Sequence, residues 1–238
     1  MGHPSQRRFV QLVAEFMPQF CRGVRVLEVG ALNVNGSVRD FFQDCDYVGI
    51  DIAAGPDVDV VCEGQHYLSE RSFDHVISCE VMEHNPHWRE TFRNMLARCR
   101  PGGLITMSCA TTGRAEHGTL QASPADSPLT VAAGSAYYRN LVPRDVERAA
   151  ALRGVLVDYR LWRNWSSFDL YFLGLRAGSA ETTASGWSQL VAAVDRFVAA
   201  ENVRKVCRFR ALLARLGGDH AFRTLRHWLG RPRYLLDG

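Results

Sequence analysis

Apolar residues along the chain recur with two periods. Short continuous runs occur at Val24 to Val29, Tyr47 to Ile52, Val58 to Cys62, Phe73 to Cys79, Leu104 to Cys109, Val155 to Arg160 and Asp169 to Leu175. Several are closed by a glycine or an acid, which predicts buried strands ending at turns. Between them the spacing lengthens to that of a helix. Phe9, Leu12, Val13, Phe16 and Met17 share one face of a helix predicted over Ser5 to Phe20, with Ser5 as its N-cap. Phe92, Met95, Leu96 and Cys99 share one face of a second, over His87 to Arg100, which Pro101-Gly102-Gly103 stops. Shorter helices are predicted at Ser37 to Phe42 and Pro143 to Arg153. Strands alternating with helices predict an α/β fold with a doubly wound, mostly parallel sheet of seven strands.

Three stretches fall outside this alternation. Thr111 to Ala136 is rich in Ala, Ser, Thr, Gly and Pro and has no period, as lids and binding loops do. Trp162 to Phe168 joins the last two strands. Gly178 to Gly186 reads as a linker, and Trp187 to Leu229 as a helical appendage broken at Gly217-Gly218. The expected organisation is a main domain over 1–177, with a lid or substrate loop at about 111–140, and a helical segment over 187–238.

Composition adds limits. The 238 residues are 47% hydrophobic and 22% charged, as in an ordinary globular domain. The longest apolar runs are far short of a membrane span, and no signal peptide is apparent, so a cytoplasmic protein without a membrane partner is expected. The seven cysteines include no C-x-x-C pair and read as free thiols. Net charge is +3, but ten basic and five acidic residues lie from Glu181 onward. These basic residues are spread along helical runs among acids, which reads as a solvated face rather than a nucleic-acid surface.

The stretch Val26-Leu27-Glu28-Val29-Gly30-Ala31-Leu32-Asn33-Val34-Asn35-Gly36 organises the rest. A buried strand turns sharply at a glycine, and about twenty residues on Tyr47-Val48-Gly49-Ile50-Asp51 ends in an acid. This is the layout of a nucleoside-binding βαβ unit, in which the acid accepts hydrogen bonds from ribose hydroxyls.

From Val24 to Leu175 the chain resembles the class I S-adenosylmethionine-dependent methyltransferases. Glu28-Val29-Gly30 is similar to the family's first motif, and Asp51 to the acid ending its second strand. Phe73 to His84 resembles the fourth-strand motif that ends Glu-x-x-Glu-His in the ubiquinone-type branch, and Arg100 to Leu104 the turn into the fifth strand. Leu32 and Val34 stand where the family carries further glycines, so the turn here is wider. The resemblance implies a Rossmann-like methyltransferase fold. It also implies S-adenosylmethionine bound by Glu28, Gly30, Asn33, Asp51 and Ile52, with Cys62 and Glu63 near the adenine and Cys79 and Glu80 near the transferred methyl.

Glu80-Val81-Met82-Glu83-His84 admits three readings: a helix-opening cap, a catalytic pair with His84 as base and Glu83 beside it, or a metal site. Small-RNA 2′-O-methyltransferases and some ubiquinone-type enzymes hold a divalent metal with a similar cluster. The ligands here would be Glu80, Glu83 and His84, with His117 as the nearby downstream addition. His117, Tyr137, Tyr138 and Asn140 are candidates to line an acceptor pocket. The implied activity is methyl transfer to an O or N atom of a small molecule: a sugar, a secondary metabolite or a glycan end. The alternatives are a metal-assisted RNA 2′-O-methyltransferase, a nicotinamide-dependent oxidoreductase, and a non-catalytic partner subunit. Neither the acceptor nor the oligomeric state is legible in the sequence.

Overall fold

A computed structural model describes residues 3–178 and 186–228. Its sheet contains β1 (Arg25–Val29), β2 (Asp46–Asp51), β3 (Val60–Val61), β4 (Phe73–Cys79), β5 (Cys99–Ala110), β6 (Leu156–Asn164) and β7 (Asp169–Arg176). The order is β3-β2-β1-β4-β5-β7-β6. β1 to β5 run parallel, and β7 is antiparallel to both β5 and β6. The helices are α1 (Pro4–Phe16), α2 (Trp88–Arg98), α3 (Pro128–Ala132), α4 (Pro143–Ala149), α5 (Leu152–Val155), α6 (Trp187–Glu201) and α7 (Lys205–Trp228).

Alternation within the strands divides the core in two. Leu27, Val29, Val76, Ile105, Met107, Leu170 and Phe172 face one side, where Phe92, Met95 and Leu96 of α2 and Val146 of α4 cover them. Val26, Ile77, Leu104, Tyr171 and Leu173 face the other, where Phe9, Leu12 and Val13 of α1 join Leu190, Val194 and Val198 of α6. With both faces covered, the central strands β1, β4, β5 and β7 are buried almost throughout, whereas the two-residue edge strand β3 is exposed. The C-terminal segment therefore begins inside the core: α6 shares one cluster with α1 and the sheet.

Several boundaries differ from expectation. The first helix stops at Phe16, because Pro18 opens a separate 3-10 turn. Ser5 is not its cap; His3 holds that position, and the Ser5 hydroxyl donates to Glu201. The helix expected over Pro143 to Arg153 divides at Ala150, which adopts an extended conformation. β5 begins five residues early, at Cys99, since Phe73 pairs with Cys99 across the Pro101-Gly102-Gly103 turn. β6 continues to Asn164, leaving only residues 165–168 as the turn. The pattern-free stretch contains a 3-10 turn at Pro124–Asp126 and α3. Gly218 kinks α7 rather than ending it. Most of the expected linker, residues 179–185, lies outside the described residues.

Candidate active site

The carboxyl ends of β1, β2 and β4 open into a cavity of about 300 Å³. A parallel sheet places its ligand crevice there, where the chain reverses direction. Gly30 closes β1 with φ +82°, and a Cβ at this position would overlap the Val81 side chain. Glycine is needed for both reasons. Asp51 ends β2, and its carboxylate accepts from Leu32 N–H at 3.0 Å and Ile52 N–H at 2.8 Å. Burial raises its pKa against the pull of those two donors. Each oxygen retains a lone pair, and Asp51 lines the cavity. Ile52, Cys62, Glu63, Cys79 and Glu80 also line the wall. Burial pushes the Cys79 thiol up to about 12, so it stays protonated. The loop over 111–140 contributes Ser127, Pro128, Leu129 and Thr130 to the same wall.

Two other residues expected at the cofactor do not line the main cavity. The Asn33 side chain donates to Asp57 at 2.9 Å and accepts from Gly36 N–H at 2.9 Å, away from the cavity wall. Glu28 lines a smaller side cavity with Gln6, Gly30 and Cys79. Its carboxyl accepts from the Tyr47 hydroxyl at 2.7 Å, and burial raises its pKa to about 7.

His84 lies at the other end of the main cavity. Its ring is 5.0 Å from that of His117 and 5.5 Å from that of Tyr138, and the last two are 5.1 Å apart. Burial, then the neighbouring His117, lowers the His84 pKa to about 3. His117 Nδ1 is 3.0 Å from the Ala115 carbonyl, which fixes the proton on Nδ1 and leaves a lone pair on Nε2. Glu83 is fully buried: Oε1 accepts from Ala110 N–H, while its main-chain carbonyl accepts from Arg139 N–H. Burial and the adjacent Glu80 raise its pKa strongly.

Glu83, His84 and His117 each present a ligand atom, all within 4.8 Å of one another. Glu83 Oε2 and His84 Nδ1 are buried without a hydrogen-bond partner, as expected of atoms that receive a ligand. Glu80 does not join them. It ends β4 in the left-handed conformation, φ +56°, accepts from Ser108 at 2.9 Å, and clusters instead with His3 and Asp169. Of the residues expected at the acceptor, His117 and Tyr138 come together with His84. Asn140 is joined to them, accepting from the Tyr138 hydroxyl at 3.1 Å and donating to Arg114 O and Asp219, whereas Tyr137 packs against the main core.

A family model described as a methyltransferase domain matches residues 1–140. The chain belongs to this family: it is a class I S-adenosylmethionine-dependent methyltransferase. No curated protein matches it. Solved structures share the fold. One is 1,6-didemethyltoxoflavin-N1-methyltransferase of Burkholderia thailandensis with 1,6-didemethyltoxoflavin and S-adenosylhomocysteine bound. It has TM-score 0.50 and 16% identity over 73% of this chain and 78% of that one. Phosphoethanolamine N-methyltransferase 2 of Haemonchus contortus has TM-score 0.51 and 15% identity over 71% and 52%. The CurJ carbon methyltransferase has TM-score 0.50 and 15% identity over 73% and 55%. Two of these names specify nitrogen and one carbon, so the shared fold does not fix the acceptor atom.

The family match overturns the nicotinamide-dependent alternative. The methyltransferase sheet inserts antiparallel β7 between β5 and β6, unlike the dinucleotide-binding order, and the β1 turn lacks a G-x-G-x-x-G run. Four residues grouped with Cys79 and Glu80 were not singled out by the sequence. Gln6 enters from α1, is buried, and has its Oε1 unpartnered beside Cys79. His3 Nε2 lies 3.0 Å and Arg114 Nη1 3.8 Å from Asp169, which is fully buried behind Glu80. A charged residue opening an apolar strand was the available signal for Asp169. Nothing in the sequence marked the other three.

Proposed function

We propose that this methyltransferase transfers the sulfonium methyl of S-adenosylmethionine to an O or N atom of a small molecule: a sugar, a secondary metabolite or a glycan end. The supporting observation is the cavity itself. Its wall includes the Asp51 carboxylate at the tip of β2, His84 after β4, and residues 126–130 of the loop over 111–140. Asp51 holds the ribose hydroxyls, Ile52 flanks the adenine, and Cys62 and Glu63 lie at its edge. Gly30, Cys79 and Glu80 border the methionine end. The sulfonium already activates the methyl group, so the chain mainly supplies alignment and a dry site. Both imidazoles are neutral, but with its pKa lowered to about 3 His84 is a weak base and serves the acceptor as a hydrogen-bond acceptor, while His117 keeps a lone pair on Nε2 toward which an acceptor proton can move.

The paired orphan atoms, Glu83 Oε2 and His84 Nδ1, support a second role for the same cluster. Glu83, His84 and His117 suit a divalent cation, because both imidazoles are unprotonated and the carboxylate needs a partner. Such a cation would orient an acceptor hydroxyl and lower its pKa.

Titration calorimetry with S-adenosylhomocysteine tests the cofactor assignment. Asp51→Ala is expected to weaken binding roughly ten- to hundredfold, the worth of hydrogen bonds to a charged group. Unchanged affinity refutes the assignment. Chelator treatment followed by metal analysis separates the two roles of the histidine cluster.

A further inference from the structure

The second half of the molecule carries a surface that methyl transfer does not use. On α7, Phe209, Leu212 and Leu216 are 45%, 51% and 75% exposed. Their spacing of three and four places them in one ridge along the helix. The opposite side of α7 is engaged: Arg210 donates to the carbonyls of Trp165 and Ser166 and lies over the Phe168 ring, and Leu213 and Ala214 pack beside Phe168 and Phe222. The ridge therefore faces outward.

Charge around the ridge is of one sign. Residues 202–218 hold five basic side chains and no acidic one. Arg204, Lys205, Arg208 and Arg215 are exposed and form no ion pair among the described residues. Arg208 and Arg215 lie along one flank of the ridge, and Lys205 continues its line toward the start of the helix. An apolar ridge bordered by long cationic side chains is the pattern of a helix that lies in a membrane interface. The apolar residues enter the acyl boundary while the arginines snorkel to the headgroups.

We propose that α7 seats the protein on an anionic phospholipid surface. Two other occupants fit less well. A second copy docked by two-fold symmetry would bring the cationic flanks against each other. A nucleic acid would meet the positive charge but leave the apolar ridge unburied. The seating does not cross the bilayer, as no helix among the described residues is long and apolar enough to do so. It adjoins the site: beyond the Gly218 kink, Asp219 accepts from Gly113 N–H at 2.8 Å and Arg226 donates to Gly113 O, holding the base of the lid.

Sedimentation of the full chain with phosphatidylcholine vesicles, with and without phosphatidylglycerol, tests this. The expected result is retention at least about tenfold higher on the anionic vesicles, since two of the four basic residues suffice for that ratio. Retention should fall with added salt and be abolished by the double substitution Leu212→Glu/Leu216→Glu. That variant should keep its thermal shift with S-adenosylhomocysteine. Absence of retention on anionic vesicles at low salt overturns the proposal, and this readout stands even if the variant fails to fold. Retention unaffected by the double substitution also overturns it. So does vesicle-free self-association that the substitution removes, which would identify a second copy.

Discussion

Gln6 shows how a residue with no sequence signal acquires a role through burial. Its carboxamide oxygen is enclosed without a partner in the side cavity, which shares Gly30 and Cys79 with the main one. An unsatisfied buried acceptor costs about 1–3 kcal/mol, so a ligand donor there is worth binding energy. The ammonium of the cofactor's amino-acid group is such a donor. Gln6→Ala should therefore weaken S-adenosylhomocysteine several-fold and leave 5′-methylthioadenosine, which lacks that group, unchanged. Equal loss for both ligands, measured by calorimetry, would make Gln6 a packing residue. Glu28 gives a pH-dependent counterpart. Its folded pKa of about 7 lies above the ordinary carboxyl value of 4.5. Its neutral form contributes stability in full below pH 4.5, and this is lost as pH rises through 7. Glu28→Gln cannot titrate, so its stability relative to wild type should rise by up to about 3 kcal/mol between pH 4.5 and 8. Burial of His75 and His84 acts with the opposite sign, but it is common to both proteins and cancels in the comparison. Chemical denaturation across this range measures the difference, and parallel curves would show that Glu28 is ionised when folded.

At the scale of elements, two lid glycines provide a matched test of how the lid acts on His84. Gly118 and Gly134 both have positive φ, +61° and +74°. A Cβ at Gly118 would lie 2.7 Å from both His84 Cε1 and Ser127 Cβ, whereas one at Gly134 meets nothing within 4 Å. Alanine at either position carries the same backbone cost of about 1–2 kcal/mol. Only Gly118→Ala should displace the imidazole and press on Ser127, lowering kcat by roughly tenfold or more relative to Gly134→Ala. Equal turnover in the two variants would remove His84 from the chemistry. The strands and the Gly30 and Asp51 turns were legible because buried runs ending in a glycine or acid have few alternative structures. Phe73–Cys79 forms with the bounds its apolar run suggests. The loop over 111–140 was legible only as an interruption. Its contacts are made by isolated polar residues to distant elements, as Asn140 does to Asp219, and no local period encodes them. The same reason hides His3 and Arg114. Each meets Asp169 across the fold, and the sequence offers no spacing that links them.

For the molecule as a whole, the two C-terminal helices carry unequal weight, although the sequence presents them as one appended segment. Trp187, Leu190, Ala193, Val194 and Val198 of α6 are buried against α1 and β7. At about 1.5–3 kcal/mol for each large apolar side chain, their burial approaches 10 kcal/mol, an upper bound given a compact unfolded state. That is comparable with the entire stability of a domain, about 5–15 kcal/mol. A chain ending at Gly186 should therefore fail to fold. Asn202 lies just past α6 and fixes its end to the β6–β7 hairpin, donating to Arg163 O and accepting from Trp165 N–H. A chain ending at Val203 retains all of this and loses only α7, whose buried contacts centre on Phe222, Arg210 and Cys207. It should keep a cooperative melt at lower Tm and still bind S-adenosylhomocysteine. Its lid should be cleaved faster by protease, since Asp219 no longer holds Gly113 and Asn140. Near-UV circular dichroism and limited proteolysis of the two truncations distinguish the roles. A folded chain ending at Gly186 would mean that α1 and the sheet close their core without α6.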